Sequence, residues 1–181
     1  MIDKITIEQI NHSHTEALQQ IGRQTFEETF AESNTAENMA KYLEEAYSHE
    51  KLSAEFNNAN SFFYFVMLDE KVIGYLKLNK GGSQTELKDN DALEIERIYV
   101  LKEFHGKKVG QLLFDKAITI AKEQRVAYVW LGVWKENKRA IQFYTKNGFV
   151  EFDQHIFVLG DEVQTDIMMK LQLSQNIREA Y

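Results

Sequence analysis

The chain has 181 residues with a net charge of −7, and it contains neither cysteine nor proline. The lack of cysteine excludes disulfides, thiolate nucleophiles and cysteine-ligated metal sites. At this length we expect one globular domain over residues 1–181. The N-terminus lacks the apolar run of a signal peptide, and the longest apolar stretch, Phe62 to Leu68, is too short to span a bilayer. We therefore expect a soluble cytoplasmic protein without a membrane partner.

The charge is distributed unevenly along the chain. Arg97 to Lys146 contains eleven Lys or Arg and four Asp or Glu, which leaves a net charge of −14 on the remaining residues. Because clefts of one sign concentrate ligands of the other, this pattern suits an anionic ligand in the basic segment and a cationic one nearby. Lys-rich solvated helix faces would give the same pattern. We expect no nucleic-acid partner.

Hydrophobic periodicity predicts strands and helices in the first half of the chain. Ile5 and Ile7 share one face of a first strand, and Ser13 and either Asn34 or Thr35 are candidate N-caps of two helices. An aromatic and β-branched segment followed by a short turn predicts a hairpin. The predicted elements are a strand over 2–9, helices over 15–30 and 36–47, and strands over 61–68 and 72–79.

The second half is predicted to bring two strands into parallel pairing. Residues 92–100 form a strand, 106–124 carry a helical apolar stripe, and 126–133 form a continuous apolar run typical of a buried strand. A strand that returns through a crossover helix is expected to pair in parallel. The remaining predicted elements are a helix over 137–146 between Asn137 and Gly148, and strands over 149–159 and 163–171 around a turn at Gly160 and Asp161.

The segment from Ile98 to Gln111 runs from a strand through a tight turn into the start of a helix. Unpaired backbone N–H groups and the positive end of the helix dipole converge at such a start. Gly106 and Gly110 leave those N–H groups uncovered, and two lysines follow Gly106. The segment lacks both the P-loop and the dinucleotide-binding spacing. It predicts an anion site, although a plain structural turn would give the same pattern.

This segment resembles motif A of the GCN5-related N-acetyltransferase (GNAT) family, a (Gln/Arg)-x-x-Gly-x-(Gly/Ala) loop that binds the coenzyme A pyrophosphate. His105 stands at the Gln/Arg position, Lys108 at the first Gly and Gly110 at the second, so two of the three positions depart. The resemblance implies acetyl-CoA as the co-substrate. The implied contacts are Ile98, Tyr99, Val100, His105, Gly106, Lys107, Lys108, Val109, Gly110 and Gln111.

Asn137 to Phe149 is similar to motif B of the same family, N-x-x-A-I-x-(F/L)-Y-x-K-x-G-F, and every fixed position matches. The resemblance implies that Asn137, Tyr144 and Lys146 contact the coenzyme and that Tyr144 is the general acid. A tyrosine pKa of ~10 is close enough to the ~8.5 of a thiol for proton transfer to a departing thiolate. Without the motif, Tyr144 would be interpreted as a core aromatic.

A general base is needed because an alkylamine, with a pKa of ~10.4, is protonated at neutral pH. Glu94 and Glu96 alternate along their strand and are predicted to share one face with Ile98 and Val100. The family places an acidic or phenolic residue at either position. The alternative is an exposed strand face on which both carboxylates pair with basic side chains. A basic set is a further candidate for the 3′-phosphate of the coenzyme or for simple solvation: Lys135, Lys138, Arg139 and Lys146.

Two further segments resemble the PaiA-type polyamine acetyltransferases of the family. They are His155 to Met169, which follows the pattern H-x-F-x-L-G-D-(D/E)-x-Q-T-D-x-x-M, and Thr25 to Phe30. The resemblance implies a small amine, spermidine or spermine, as the acceptor. His155 is either a proton relay or a structural strand histidine, and the other histidines lack ligand spacing, so we expect no metal. The expected acceptor contacts are Phe26, Glu28, Phe30 and Tyr42.

The resemblance implies an α/β fold with a mixed, mostly antiparallel sheet of six to seven strands. The sheet should be splayed between its fourth and fifth strands and flanked by about four helices, with the coenzyme held by residues 92–149. Acetyl transfer should be direct, because no cysteine is present to carry the group. Two alternatives are a protein N-terminal or lysine acetyltransferase with an open groove, and a non-catalytic coenzyme A-binding regulatory module. Both a monomer and a homodimer are compatible with the sequence.

Overall fold

The computed structural model describes residues 5–159 and 161–173. Seven strands form one sheet in the order β1-β2-β3-β4-β5-β7-β6. The strands are β1 (Ile5–Ile10), β2 (Ser61–Leu68), β3 (Lys71–Lys80), β4 (Ala92–Val100), β5 (Tyr128–Trp134), β6 (Val150–Leu159) and β7 (Glu162–Gln172). The α-helices are α1 (Thr15–Phe30), α2 (Ala36–Ala46), α3 (His49–Phe56), α4 (Val109–Glu123) and α5 (Lys138–Lys146). The predicted strand residues 2–4 and Gly160 lie outside the described residues.

The sheet confirms the predicted mixed topology. All neighbouring strands pair antiparallel except β4 and β5, which run parallel. The parallel pairing joins only Ala92–Glu94 to Tyr128–Trp130, although both strands continue further. Beyond Glu94 the two strands therefore diverge, and the predicted splay is confirmed.

A β-bulge at Glu96 interrupts the alternation of β4. Successive residues of β3 pair with Ile95 and Arg97, so Glu96 is the extra residue. Because directly opposed side chains share a face, Glu94 lies on the face of Arg97, whereas Ile98 lies on the other face. The prediction that Glu94 and Glu96 share a face with Ile98 and Val100 is therefore wrong. The prediction followed the regular alternation of a strand, whereas the bulge adds one residue, Glu96, to β4.

The helices differ from the predictions mainly at α3, at the start of α4 and at the cap before α1. Helix α3 was not predicted, although Ser48 caps it and Leu52 anchors it in the core. Helix α4 begins at Val109 instead of residue 106, because Gly106 and Lys108 have left-handed backbones with φ of 78° and 64°. The predicted caps Thr35 and Asn137 are present, while Ser13 belongs to a short 3₁₀ turn before α1 that is capped by Asn11.

The packing of α1 depends on a glycine that faces Tyr47. A Cβ atom on Gly22 would lie 2.3 Å from Cε1 of Tyr47. The Tyr47 ring is buried, and its hydroxyl lies 3.0 Å from that of Tyr75 on β3, so the ring has little freedom to move. Gly22 therefore lets α1 approach the sheet closely.

We expect Gly22→Ala to lower the free energy of unfolding by about 1–3 kcal/mol, because the added methyl group overpacks the contact with Tyr47. Gly110→Ala is the matched control: Gly110 also lies in a helix, but no heavy atom would approach its Cβ within 4 Å. That variant should hold or raise the stability, since alanine favours the helix. Urea denaturation without ligand measures both, and equal stability of the two variants would contradict the packing argument.

Candidate active site

Two cavities meet at the splay between β4 and β5. The first has a volume of about 830 Å³ and lies between the end of β4, the start of α4 and α5. The second, of about 360 Å³, lies against α1, α2 and the sheet face that carries Glu94. Five residues line both cavities: Ile98, Tyr99, Asn137, Ala140 and Tyr144. The two cavities are therefore adjacent at these five residues.

The first cavity contains the predicted anion site at the start of α4. No side chain of the described residues caps this helix, so its first backbone N–H groups remain available at the cavity wall. Space is open around the Cβ positions of both Gly106 and Gly110. Lys108, at the motif position usually held by glycine, has the left-handed conformation that glycine adopts easily.

His105 and Arg139 connect two walls of the first cavity. The His105 Nε2 atom lies 2.8 Å from the backbone oxygen of Val100, which only accepts, so Nε2 carries the hydrogen. The Nδ1 atom then accepts from Nη1 of Arg139 at 2.6 Å. Arg139 and Lys146 line the cavity, whereas Lys135, Lys138 and the predicted contact Lys107 do not.

Tyr144 lies at the junction of the two cavities, on α5. Its side chain is only 6% exposed, and no described residue forms a hydrogen bond with its hydroxyl. Burial raises the pKa of Tyr144 above its ordinary value, so the hydroxyl is protonated at neutral pH and can donate. Nearby, the Asn137 side-chain oxygen accepts from the backbone N–H of Ala140 at 3.1 Å, which leaves its amide nitrogen as a donor.

Nine aromatic side chains contribute to the walls of the second cavity. Three of the four predicted acceptor residues line it, namely Phe26, Phe30 and Tyr42. The fourth, Glu28, lines the first cavity instead and accepts from the backbone N–H of Lys102 at 2.8 Å. The other aromatic lining residues are Tyr47, Tyr99, Trp130, Trp134, Tyr144 and Phe157.

Glu94 is a buried carboxylate in the wall of the second cavity, with 2% of its surface exposed. It accepts hydrogen bonds from the Asn79 side chain at 2.9 Å, from the Thr85 backbone at 2.9 Å and from the Thr85 hydroxyl. Burial raises the pKa of Glu94 above its ordinary value of 4.5, although these hydrogen bonds act against the rise. Glu94 thus takes up a proton more readily than an exposed glutamate.

Glu96 belongs to a buried ionic network and behaves in the opposite way. Its carboxylate lies 2.6 Å from Nζ of Lys77 and 3.1 Å from Arg97. Arg97 also forms a two-pronged pair with Glu55, at 2.9 Å for each bond. Burial alone would raise the pKa of Glu96, but the charges of Arg97 and Lys77 lower it to about 2. Glu96 therefore stays ionised.

Three functional candidates in the second cavity were not predicted as acceptor contacts from the sequence: Glu86, His155 and Asp166. His155 lies opposite Asp166 across β6 and β7, and its Nε2 lies 3.1 Å from Glu86. His155 and Asp166 were part of the PaiA-like pattern, which was the available signal, but only the strand register shows that they face the cavity. Glu86, in the loop before β4, had no signal.

Among residues 5–159 and 161–173, no three His, Asp or Glu side chains are grouped so that they could hold a metal ion. In the same part of the chain, no helix has the length and apolar character needed to cross a membrane.

The family described as Acetyltransferase (GNAT) matches residues 20–149. The chain belongs to this family. It is 44% identical, over 84% of its length and 88% of the relative's, to an uncharacterized N-acetyltransferase in the pepI 3′ region of Lactobacillus delbrueckii subsp. lactis. It is 28% identical to the spermidine N(1)-acetyltransferase of Thermoplasma acidophilum, over 80% and 88% of the two chains.

Solved structures give the same result for this GNAT protein. The PaiA N-acetyltransferase of Thermoplasma acidophilum, in complex with coenzyme A, superposes with a TM-score of 0.78 and 26% identity, over 94% of this chain and 99% of that chain. The predicted fold is thereby confirmed. The protein is an acetyl-CoA-dependent N-acetyltransferase.

The first cavity fits coenzyme A chemically. The free N–H groups of α4, together with Lys108, Arg139 and Lys146, supply donors and positive charge for phosphate groups. Beyond Glu94 the edge of β4 that faces the splay has no paired strand, so its backbone is available to an amide-bearing chain. Tyr144 lines this cavity where it borders the second one.

We expect Glu96→Gln to lower the free energy of unfolding by about 3 kcal/mol at pH 7, because it leaves Lys77 and Arg97 short of one counter-charge. The folded pKa of about 2 lies below the ordinary 4.5, so the stabilisation by Glu96 is present above pH 4.5 and is lost as the pH falls toward 2. The difference in stability between wild type and variant should therefore shrink over that interval, as measured by urea denaturation.

Glu103→Gln is the control for this experiment, because Glu103 forms an exposed pair with Lys71 at 2.6 Å. Exposed pairs contribute about 0–1 kcal/mol, so this variant should differ little from wild type at any pH. A Glu96 variant as stable as the Glu103 variant would contradict the assignment of the network.

Proposed function

We propose that this N-acetyltransferase acetylates a small alkyl amine, and that a polyamine such as spermidine or spermine is its substrate class. The observation that carries the proposal is the second cavity, whose aromatic walls and acidic side chains open at Tyr144 onto the coenzyme cavity. Aromatic faces attract alkylammonium groups, and carboxylates pair with them. The spermidine acetyltransferase relative, at 28% identity, supports the same class.

The size of the second cavity favours a small acceptor over a protein. Its volume of about 360 Å³ is within the range of small-molecule sites, which is about 300–1,000 Å³. Residues from α1, α2, β6 and β7 surround it, so an extended peptide would have to displace part of this wall. The alternative of a protein N-terminal or lysine acetyltransferase requires a groove along which a peptide can lie.

The proposed chemistry divides two proton transfers between Glu94 in the second cavity and Tyr144 at the junction of the two cavities. When bound, acetyl-CoA supplies an acetyl group activated as a thioester. Glu94 receives the proton of the incoming ammonium, directly or through a water molecule, because its pKa is raised and it lines the acceptor cavity. Glu96 is unsuited to this step, because Arg97 and Lys77 lower its pKa to about 2 and its carboxylate is therefore a weak base. Tyr144 donates its proton to the departing sulfur, since its hydroxyl is protonated and unengaged among the described residues.

We expect the wild-type protein to release coenzyme A thiol from acetyl-CoA when spermidine, spermine or a simple diamine is added. The value of kcat/KM for the best polyamine should exceed that for peptides with a free N-terminus or a lysine by about tenfold or more, because one buried ion pair contributes that much discrimination. Thiol release with a chromogenic reagent measures this. A preference for peptides would overturn the proposal in favour of the protein acetyltransferase.

We expect the proton donor and the proton acceptor to affect kcat differently. Tyr144→Phe should lower kcat about 100-fold or more across the pH range while changing the Kd of coenzyme A less than about threefold. Glu94→Gln should lower kcat and remove the acid limb of its pH profile. In wild type this limb should lie above pH 4.5, because the pKa of Glu94 is raised. Stopped assays from pH 5 to 9 measure both.

Tyr128→Phe is the matched control for the tyrosine, because Tyr128 bonds Asp89 at 2.8 Å and lines neither cavity. It should retain wild-type kcat. Glu96→Gln is the matched control for Glu94→Gln and should keep the acid limb of the pH profile. If the limb were lost in Glu96→Gln and kept in Glu94→Gln, Glu96 would be the proton acceptor instead of Glu94.

A further inference from the structure

Asp166 differs from the other carboxylates that line the second cavity. Glu94 accepts hydrogen bonds from two neighbours, Glu96 belongs to the ionic network, and Glu86 lies 3.1 Å from His155. Within residues 5–159 and 161–173, the Asp166 side chain forms no hydrogen bond and no ion pair at 4.0 Å or less. It is a half-buried charge without a matching partner, which is costly unless a ligand supplies one.

The sheet register places Asp166 against an aromatic wall. On β7 it lies opposite Trp134 of β5 and opposite His155 of β6, so these three side chains share the face that carries the cavity. Tyr42 and Phe157 complete the wall, with their ring centroids 5.8 Å apart in an edge-to-face arrangement. Tyr42 and Asp166 line the same cavity. Burial is the main cause of the raised pKa of Tyr42, and the Asp166 charge adds to it.

The carboxylate is also left uncovered by its neighbours. A Cβ atom on Gly132 would lie 3.6 Å from Oδ2 of Asp166, so the glycine leaves that side of the oxygen open to the cavity. Burial raises the pKa of Asp166, and the nearby His155 acts against the rise. His155 lies within ion-pair distance of Glu86, so it is not available to Asp166 alone as a counter-charge.

We propose that Asp166, together with Tyr42, Trp134 and Phe157, binds a second ammonium group of the acceptor, remote from the nitrogen that is acetylated. The inference rests on the proposed function and adds the structural basis for selecting diamines and polyamines over monoamines. A carboxylate provides the ion pair, and the surrounding rings provide cation–π contacts to the same group. A monoamine whose nitrogen is positioned for acetylation has no second ammonium group to place at this site.

The test compares 1,4-diaminobutane with butylamine, which have the same carbon chain but differ by one ammonium group. Asp166→Asn should raise the KM for 1,4-diaminobutane and for spermidine about tenfold or more, with kcat changed less than about threefold. The KM for butylamine should change less than about twofold. Gly132→Ala, whose methyl group would meet the carboxylate at an ordinary contact distance, should raise the KM for the diamine in the same direction.

Asp153→Asn is the matched control, because Asp153 is an exposed aspartate on β6 that lines neither cavity. It removes the same charge and should leave both KM values unchanged. A uniform change for monoamine and diamine in the Asp166 variant, or no change for either, would overturn the inference.

A binding measurement separates this inference from the proposed function. Calorimetric titration of 1,4-diaminobutane into the coenzyme A-saturated protein reports the second ammonium site without turnover. Failure of the proposed function would appear as absent thiol release with every amine in the wild type. Failure of the Asp166 assignment would appear as equal diamine affinity in wild type and Asp166→Asn.

Discussion

The divergence of β4 from β5 is the constraint on which both cavities depend. Only Ala92–Glu94 pair with β5, and the bulge at Glu96 follows immediately. A bulge bends its strand and increases the local twist, so the rest of β4 turns away from its parallel neighbour. The gap leaves one backbone edge of β4 without a strand partner and gives Tyr144 of α5 access to the space between the strands.

The same bulge determines what the two glutamates of β4 can do. Glu94 remains in the hydrogen-bonded position opposite Asn79, where burial raises its pKa. Glu96 is directed to Lys77 and Arg97, which lower its pKa to about 2. Two carboxylates separated by a single residue thus acquire opposite proton affinities, because one is desolvated among neutral donors and the other is desolvated between cations.

Charges in the two cavities are matched to different ligands. In the first cavity, the cations Lys108, Arg139 and Lys146 have no carboxylate within ion-pair distance among the described residues. In the second, Arg97 pairs with Glu55 and Glu96. Among the same residues, Asp166 and the exposed Lys51 have no ion-pair partner. The first cavity therefore suits a phosphate-bearing donor. The second suits an ammonium-bearing acceptor, because four carboxylates line it against the cations Lys51 and Arg97.

The sequence alone determined the features that depend on residues close together in the chain. Motif B placed Asn137 and Tyr144 on one short helix, because helix caps are local, and the sequence indicated a helix after Gly106 although α4 begins only at Val109. The parallel pairing of β4 and β5 followed from the handedness of a crossover connection. These elements are where local preference and tertiary structure agree.

Only the tertiary structure decided which side chains face each other across the sheet. The bulge at Glu96 has no signal in a strand of alternating residues, and it reversed the face predicted for Glu94. Glu28 follows Phe26 by two residues but lies at the other cavity, since successive positions of a helix point in different directions. Asp166 and Trp134 are brought together by strand register alone, and register is set by long-range pairing that no short segment encodes.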